Sequence, residues 1–471
     1  MKNSKKYLAV LCVIIFSIVS VTELYGQRNV SYQDLAMRQQ QQRASFDYLT
    51  LPGNDDNEAV QFAVVFNIPY STLPFKKNRD RSSENKYFSS MDLMLEVFKA
   101  EDANVDKRKK EDISLVGLEP AGRSFWADTA YAKDYESSQS DDQFLSGYIK
   151  VNLSPGSYNY VLQMKRGDQT DSRISRTQKI NITSYSKKKT GNILVSSTFA
   201  DKPESSHFIL NTTANTVEYA KDFYAIAYLP QYREDESYTM DIVKLNALRE
   251  DTTKQNNVFS KKLTQENIKT DVHPQLQYTD GKPSLNLNGT GNGYTYAIIE
   301  VPNSEFENSL YQITIKNSSG DVVARNNFRS QWKDMPTSLL NLDIAIEMLR
   351  FIADKETIKK INSGTPAAQE KKFRAFWKER DPTPDTQFNE LMAEYYERID
   401  YTFKNFTTEN TIGYNSDRGE VYIKYGPPED INRKFPKEGA TTEIWTYPNR
   451  QFIFKATTGF GDFKLVSNQS R

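Results

Sequence analysis

The stretch GYIKVNLSPGSYNYVLQMK, residues 147–165, determines the class of fold that the sequence predicts. Apolar side chains alternate at Ile149, Val151 and Leu153, and they alternate again over residues 158–164. Alternation with a period of two is typical of β-strands that bury one face. A Pro-Gly pair between the two runs favours a tight turn, so we predict a β-hairpin here.

Similar strand patterns extend on both sides of this stretch. Residues 58–190 contain several short apolar runs separated by turns, which predicts a β-sandwich of immunoglobulin-like size. Residues 191–333 repeat this organisation, with a Ser-Gly-Asp hairpin turn at 319–321, and predict a second β-sandwich. The segment 246–275 is polar and weakly patterned, and it is expected to be an excursion from this block.

The hydrophobic period becomes helical at the start of the last segment, residues 334–471. We predict three helices, at 338–356, at 366–381 and after Thr383, which is expected to cap the third helix with Pro384 in its first turn. From Glu420 onward the pattern indicates strands again. The predicted fold is therefore multi-domain and mainly β. It consists of two immunoglobulin-like β-sandwiches followed by an α+β C-terminal module of three helices plus a small antiparallel sheet.

The first residues resemble a secretory signal peptide. Three lysines precede an apolar run over residues 7–21, which is shorter than the roughly 20 residues that span a bilayer. We expect residues 1–26 to be removed after Gly26; the alternative is a retained N-terminal anchor. Residues 27–57 are polar and rich in glutamine, and we predict a lead-in that is mobile or a short helix.

Composition excludes several classes of function. The only cysteine, Cys12, lies in the signal, so the mature chain has no disulfide, thiol nucleophile or thiolate metal site. Lysine plus arginine and aspartate plus glutamate both number 61, and removal of residues 1–26 leaves 58 against 60. No basic excess remains for nucleic acid, and no later apolar run is long enough to span a membrane. We expect export to the periplasm or cell envelope of a Gram-negative bacterium.

A second stretch, GYNSDRGEVYIKYGPPED at residues 413–430, contains the candidate site. It is not a nucleotide-phosphate loop, because such a loop leads into a helix and carries Lys-Ser/Thr after its glycines. We predict a turn at 416–419 that joins the third helix to a strand, with Gly419 at positive φ. The strand is expected to begin at Glu420 and to stop at Pro427, which lacks a backbone donor.

The same stretch resembles the signature of the GWxTD domain, a C-terminal module of exported proteins in Bacteroidetes and related bacteria. The family pattern Gly-Trp-x-Thr-Asp-Arg-Gly corresponds to residues 413–419, where Tyr414 replaces the tryptophan and Ser416 the threonine. The Tyr-Gly-Pro-Pro that follows matches residues 425–428. The resemblance covers residues 336–467 and implies no established activity.

The candidate site residues are mostly carboxylates and their cationic neighbours. Both histidines, His207 and His273, lie outside the last module, so no Ser-His-Asp triad, HExxH helix or histidine metal site can form there. Catalytic residues remain unassigned, and neither a metal nor a cofactor is predicted. The candidate cluster is Arg380, Asp381, Glu390, Glu394, Arg398, Gly413, Tyr414, Asp417, Arg418, Gly419 and Tyr425.

Two hypotheses of function follow. The first is a non-enzymatic envelope scaffold that binds a partner protein or a glycan, with Glu394 paired to Arg398 and with Arg418 paired to Glu390 or Asp381. The alternative is a carboxylate-based glycoside hydrolase or another carbohydrate-active enzyme, with its site at Asp381, Glu390 and Asp417. Carboxylates about 5–10 Å apart in an open cleft would favour the enzyme. Carboxylates held by arginines would favour the scaffold.

Overall fold

The structure is a computed structural model that describes residues 31–39, 44–53, 58–80, 82–102, 104–105, 113–115, 117–167, 172–202, 205–210, 215–245, 257–289, 293–457 and 461–470. The predicted signal peptide, or retained anchor, lies outside these residues. Strands predominate over helices in them, which confirms a mainly β chain with several sheets and some helices. In this part of the chain, no helix has the length and apolar character needed to cross a membrane.

The described helices are short, apart from two in the last third of the chain. They are α1 (Tyr32–Gln39), α2 (Tyr135–Ser138), α3 (Leu342–Met348), α4 (Lys355–Ile361), α5 (Pro366–Lys378), α6 (Glu390–Phe406) and α7 (Asp417–Tyr425). Single 3₁₀ turns occur at Tyr70–Thr72, Ala100–Asp102, Tyr185–Lys187, Gln265–Asn267, Asn303–Glu305, Thr337–Leu340, Leu349–Phe351 and Gly413–Asn415.

The chain divides into two compact units. The β unit comprises Gln40–Asp334 and Thr383–Asn389. The C-terminal unit comprises Met1–Gln39, of which the structure describes 31–39, together with Met335–Pro382 and Glu390–Arg471.

The first half of the β unit contains eleven described strands. They are β1 (Ser45–Pro52), β2 (Val60–Pro69), β3 (Lys76–Lys77), β4 (Tyr87–Lys99), β5 (Asn104–Val105), β6 (Ile113–Ser114), β7 (Gly122–Ala132), β8 (Phe144–Leu153), β9 (Gly156–Arg166), β10 (Arg173–Ile174) and β11 (Gln178–Ile182). One sheet has the order β1-β2-β8, and a six-stranded sheet is built around β4 and β9. Side chains from both sheets, among them Phe62 and Leu95, share one hydrophobic core.

Strand β8 confirms the predicted alternation, whereas β9 is buried continuously from Tyr158 to Leu162, and the two strands do not form the predicted hairpin. Ile149, Val151 and Leu153 are buried, as are Tyr158 and other members of the second run. However, β8 pairs with β2 whereas β9 pairs with β4, so the Pro-Gly turn leads the chain from one sheet to the other. Alternation fixes which face of a strand is buried and leaves its hydrogen-bonded partner open.

Part of the segment predicted as a polar lead-in is regular structure. Within 27–57, the short-helix alternative is confirmed by α1, and β1 pairs with β2 over its whole length. The apolar side chains Leu49 and Leu51 of β1 are buried, which explains why this strand joins the sheet despite its polar surroundings.

The second half of the β unit contains another eleven described strands. They are β12 (Ile193–Lys202), β13 (Ser205–Leu210), β14 (Thr216–Glu218), β15 (Phe223–Tyr228), β16 (Thr239–Lys244), β17 (Asn257–Lys262), β18 (Ile268–Thr279), β19 (Lys282–Gly289), β20 (Tyr294–Val301), β21 (Leu310–Lys316) and β22 (Val322–Gln331). Six of them close into a ring in the order β12-β13-β19-β18-β20-β15, and a five-stranded sheet has the order β14-β22-β21-β16-β17.

One prediction in this half is confirmed and one is wrong. The predicted turn at 319–321 joins β21 to β22, with Gly320 at a φ of 85°. The described part of the segment 246–275 is not an excursion, because β17 and most of β18 lie in it and belong to the two sheets; residues 246–256 are outside the described residues. The side chains of β17 are largely exposed, so its sequence lacks the apolar alternation that marks a half-buried strand.

The two halves of the β unit contact each other through aromatic side chains. Trp126 donates its indole N–H to the hydroxyl of Tyr278 at 3.0 Å, and Tyr148 stacks on Tyr278 with 4.8 Å between ring centroids. Tyr148 also donates its hydroxyl to the carbonyl of Leu276 at 3.2 Å. These directional contacts hold the two halves in one compact unit.

Asp47 on β1 gives the β unit a testable pH dependence. Burial raises the pKa of Asp47 to about 6. Because the folded-state pKa lies above the unfolded value of about 3.9, the contribution of Asp47 to stability is complete below pH 3.9 and is lost as pH rises through 6.

We expect Asp47→Asn to stabilise the protein increasingly over this window, by up to about 3 kcal/mol. Thermal melts from about pH 4 to pH 8 check this, with the exposed Asp128→Asn as control. A gain that stays constant across the window would contradict it.

The C-terminal unit combines helices with a four-stranded antiparallel sheet. The strands are β23 (Asp430–Lys434), β24 (Thr442–Tyr447), β25 (Arg450–Ala456) and β26 (Phe463–Ser470), paired in that order. The predicted helix at 338–356 is divided among 3₁₀ turns, α3 and the start of α4. Asn341 and Asp354 cap these two helices by accepting hydrogen bonds from backbone amides, which explains why a new helix begins at each of them.

The predicted start of the third helix is wrong. This helix, α6, begins at Glu390 rather than after Thr383. The preceding residues pack in the β unit instead: Phe388 contacts the rings of Tyr219 and Trp332, and Tyr219 donates its hydroxyl to the carbonyl of Gln387 at 2.6 Å. Packing of the half-buried Phe388 against these aromatic rings therefore outweighs the local capping signal.

Candidate functional site

Residues 413–430 form a 3₁₀ turn, the helix α7 and a short loop into β23. The side chain of Ser416 accepts a hydrogen bond from the amide of Gly419 at 3.0 Å and donates to the carbonyl of Gly413 at 2.7 Å, so it caps α7. The helix ends at Gly426, whose φ is 78°. The prediction of a turn at 416–419 and a strand from Glu420 is therefore wrong.

The apolar pattern of α7 explains this error. The helix is buried on two faces: Ile423 belongs to a cluster of helical side chains, whereas Val421 packs with the sheet around Trp445. Two buried faces place apolar residues two positions apart, which imitates the alternation of a strand. Strand-like spacing in a nine-residue segment therefore does not distinguish the two structures.

Gly413 and Gly419 are required by close backbone contacts. A Cβ on Gly413 would lie 1.8 Å from the carbonyl oxygen of Thr402, and one on Gly419 would lie 2.0 Å from the carbonyl oxygen of Gly413. The predicted positive φ at Gly419 is not observed; among these glycines it occurs at Gly426. The two glycines thus allow α7 to start directly against the end of α6.

Arg418 is paired as predicted, but with a different carboxylate. Its Nη1 lies 3.5 Å from Oε2 of Glu443 on β24, not beside Glu390 or Asp381. Its Nη2 donates to the carbonyl of Gly461 at 2.9 Å. Only 8% of Arg418 is exposed, and this burial lowers the pKa of its guanidinium. Its buried Nε has no hydrogen-bond partner among the described residues.

Glu443 is the centre of a buried polar network. It is 2% exposed and accepts hydrogen bonds from Nε and Nη2 of Arg433, at 3.0 and 2.6 Å, and from the indole N–H of Trp445 at 2.6 Å. With Arg418, this carboxylate is therefore held by two guanidinium groups and one indole. Such contacts offset the cost of burying a charge.

Glu443, Arg433 and Trp445 are absent from the predicted site residues. One signal in the sequence points to them: Glu443 and Trp445 are two positions apart in a strand, so they share a face. A glutamate on the face that buries a tryptophan requires a cationic partner. The sequence does not reveal which arginine approaches that face, because the answer depends on how α7 packs on the sheet.

A pocket of about 370 Å³ opens above this network. It lies between α6, α7 and β23, and its walls include Tyr401, Tyr422, Pro427 and Ile431. The rings of Tyr401 and Tyr422 are stacked, with 4.4 Å between their centroids. The pocket therefore combines aromatic and aliphatic side chains with charged ones.

The remaining predicted carboxylates bind other parts of the unit. Glu394 forms the predicted ion pair with Arg398, whose Nη1 also donates to the carbonyl of Ile423 at 3.3 Å. Asp417 accepts hydrogen bonds from the amide of Leu465 at 2.7 Å and from Nζ of Lys464 at 3.2 Å. These contacts attach α7 to α6 and to β26.

Glu390 and Asp417 are placed near opposite ends of α6. Glu390 is the first residue of this 17-residue helix and Phe406 the last, which separates them by about 24 Å along its axis. Arg418, which follows Asp417, lies over the ring of Phe406. Asp381 follows α5. No group of three or more His, Cys, Asp or Glu side chains in the described ranges is arranged to hold a metal ion.

The other predicted site residues have packing contacts. Arg380 donates a hydrogen bond to the backbone carbonyl of Phe376 at 2.7 Å, and its guanidinium lies over the phenyl ring of the same residue. It also forms an ion pair with Glu379 at 3.6 Å. The hydroxyl of Tyr425 accepts a hydrogen bond from Nη1 of Arg450 at 3.0 Å. Both side chains therefore contribute to local packing at the surface of the unit.

Tyr414, at the signature tryptophan position, is buried against α1. It contacts the ring of Tyr32, and both contact Phe403. Tyr32 donates its hydroxyl to Asp400 at 2.5 Å, and Asp400 accepts a second hydrogen bond from the amide of Thr337 at 2.8 Å. Burial raises the pKa of the Asp400 carboxyl. The N-terminal helix is therefore part of the core that includes the signature.

We expect Tyr32→Phe to destabilise the C-terminal unit by about 1–3 kcal/mol, because Asp400 loses a hydrogen-bond donor in a buried position. Denaturant unfolding measures this loss, and faster amide exchange in α1 locates it. Tyr401→Phe, in a ring that is 43% exposed, is the matched control and should change stability by less than about 0.5 kcal/mol. Equal effects of the two substitutions would contradict a specific role for the Tyr32 hydroxyl.

Comparison with known proteins agrees with the signature. Residues 310–469 match the family model of the GWxTD domain, which therefore starts in the hairpin β21–β22. No curated protein matches the sequence. A type II cohesin dyad from the adaptor ScaA scaffoldin of Acetivibrio cellulolyticus is similar at 10% identity, over 62% of this chain and 99% of that one. Its TM-score of 0.17 is too low to support an inference. The match at residues 310–469 makes this chain a GWxTD domain-containing protein.

Proposed function

We propose that this chain is a non-enzymatic exported protein whose C-terminal unit binds a partner protein or a glycan. The proposal rests on one observation, which is that the buried carboxylate of Glu443 is fully engaged by protein donors. This carboxylate is held by Arg433, Arg418 and Trp445 beneath packed aromatic rings. A general acid or base must exchange protons with a substrate, whereas a carboxylate with these fixed donors is suited to shaping a binding surface.

The positions of the other carboxylates also support binding. A glycoside hydrolase needs two carboxyl groups about 5–10 Å apart across the scissile bond. Glu390 and Asp417 lie near opposite ends of α6, and Asp417 is held by β26. The pocket beside Tyr401 offers a stacking surface that both sugars and peptide side chains use.

The proposal also includes the division of the β unit into two domains and the cellular location of the protein. The strands β2–β11 and β12–β22 would form two immunoglobulin-like β-sandwiches, which the α+β C-terminal module follows in the chain. The basic and apolar residues 1–26 would direct export, leaving the protein in the periplasm or cell envelope of a Gram-negative bacterium. The absence of cysteine from the mature chain is compatible with that location.

The test measures turnover and thermal stability on the same mature chain, residues 27–471. A panel of envelope glycans is incubated with wild type and with Asp417→Asn, and melting temperatures are recorded. We expect no turnover by either protein and a lower melting temperature for Asp417→Asn, because α7 loses its bond to β26. Hydrolysis by wild type that Asp417→Asn abolishes at an unchanged melting temperature would replace the proposal with the enzyme alternative.

A further inference from the structure

We propose that the pocket and the neighbouring strand β23 bind an extended acidic segment of a partner protein, which adds to the sheet as a further strand. This inference rests on the proposed binding function and specifies its ligand. Four features of the C-terminal unit support it: an open sheet edge, an apolar wall, an excess positive charge and an unsatisfied buried donor.

The open edge is the outer side of β23. The sheet order is β23-β24-β25-β26, and the described chain places no strand on the other side of β23. All five of its residues are exposed. An exposed edge presents unpaired backbone donors and acceptors, which is the template that strand-adding peptides use.

This edge is short and carries the charged residues Asp430, Arg433 and Lys434, but it also exposes apolar side chains. Ile431 is 50% exposed, and Phe435, just beyond the strand, is 72% exposed. Apolar side chains on an open edge therefore favour an occupant that covers them.

The side chains of β23 divide the pocket into an apolar and a cationic part. Ile431 and Arg433 are two positions apart and pair with Trp445 and Glu443, so both belong to the face that carries the pocket. Tyr401, which is 43% exposed, adds to the apolar part. An added strand would therefore place an apolar residue near Ile431 and, two positions away, a residue near Arg433.

The charge of the lining selects an acidic residue for the second position. Arg418 and Arg433 contribute two positive charges, and Glu443 contributes one negative charge. The Nε of Arg418, although buried, has no hydrogen-bond partner in the described residues, and the Arg433 side chain remains 48% exposed. A carboxylate can satisfy these donors and neutralise the excess charge, whereas a neutral sugar cannot do the latter.

The test uses fluorescent peptides of about eight residues, enough to cover β23. The first carries leucine and glutamate two positions apart between threonines. The second replaces the glutamate with lysine, and the third places the glutamate three positions from the leucine. Anisotropy titrations use the full mature chain, and amide exchange is measured along β23. We expect saturable binding of the first peptide, at least about tenfold weaker binding of the others, and protection of the Ile431 amide region.

Variants of the protein locate the site. Ile431→Asp and Arg433→Gln should each weaken binding by at least about tenfold. Arg450→Gln is the matched control, because Arg450 is an arginine of the same sheet, on β25, that does not line the pocket, and it should leave binding unchanged. Ile431→Asp is the decisive variant, since this exposed side chain is outside the hydrophobic core, and its melting temperature should equal that of wild type.

Several outcomes would overturn the inference. Equal binding of the glutamate and lysine peptides would exclude recognition of an acid. Full binding by Ile431→Asp would exclude this edge. If no peptide binds but a glycan binds without turnover, the inference fails and the proposed function stands. If the chain hydrolyses glycans, the proposed function itself fails.

Discussion

Glu443→Ala is expected to lower the free energy of unfolding of the C-terminal unit by about 3–5 kcal/mol. The substitution leaves the buried guanidinium of Arg418 without its counter-charge and leaves the indole N–H of Trp445 without an acceptor. Both groups are largely buried, so water only partly compensates for the lost carboxylate. Denaturant unfolding followed by tryptophan fluorescence, with amide exchange along β24 to locate the change, measures the loss.

A double substitution distinguishes two free energies. One is the cost of leaving a buried charge unpaired, and the other is the net stabilisation that the Arg418–Glu443 ion pair provides. Replacing both Arg418 and Glu443 with methionine removes the charges together and should cost less than Glu443→Ala alone. Glu394→Ala is the control, because the Glu394–Arg398 pair is partly exposed, and it should cost under about 1 kcal/mol. If Glu394→Ala costs as much as Glu443→Ala, burial is not what makes the Glu443 network important.

Gly419→Ala is expected to destabilise the C-terminal unit by about 2–3 kcal/mol, against the trend of helix propensity. Alanine in place of a helical glycine normally stabilises by about 1 kcal/mol. At this position, however, the added Cβ would lie 2.0 Å from the backbone oxygen of Gly413, and backbone cannot move aside as a flexible side chain can. The sign of the change in melting temperature therefore tests the close contact directly.

Glu420→Ala is the matched control for Gly419→Ala. It introduces the same side chain at the next position of α7 and removes only an exposed pair with Lys424. It should change stability by less than about 0.5 kcal/mol. A stabilising Gly419→Ala would show that α7 can move away from Gly413, and the glycine would then have no steric role.

The sequence predicts elements whose signals are local, and fails where tertiary contacts decide. The helix α5 and the hairpin β21–β22 follow from periodicity and turn residues. By contrast, α7 is buried on two faces, and Thr383 loses its capping role because Phe388 packs in the β unit. Pairing of β8 and β9 with different sheets depends on residues far away in sequence.

The candidate site shows the same division. The ion pair of Glu394 with Arg398 follows from helical spacing and is confirmed. The sequence predicts that Arg418 is paired, because a buried arginine needs a counter-charge. Its partner, Glu443, lies on a strand 25 positions later in the chain. No local pattern specifies that contact, because it forms only when α7 lies across the sheet.

The bond between Tyr32 and Asp400 has a consequence for the order of events during synthesis. These residues are 368 positions apart, and the whole of β1–β22 lies between them. At about 5–20 residues per second, a ribosome needs roughly 20–70 seconds after making Tyr32 to reach Asp400. For that time α1 lacks the surface that buries its apolar side. Until then, Tyr32 and Leu35 are exposed to chaperones, which can bind them while the C-terminal unit is still incomplete.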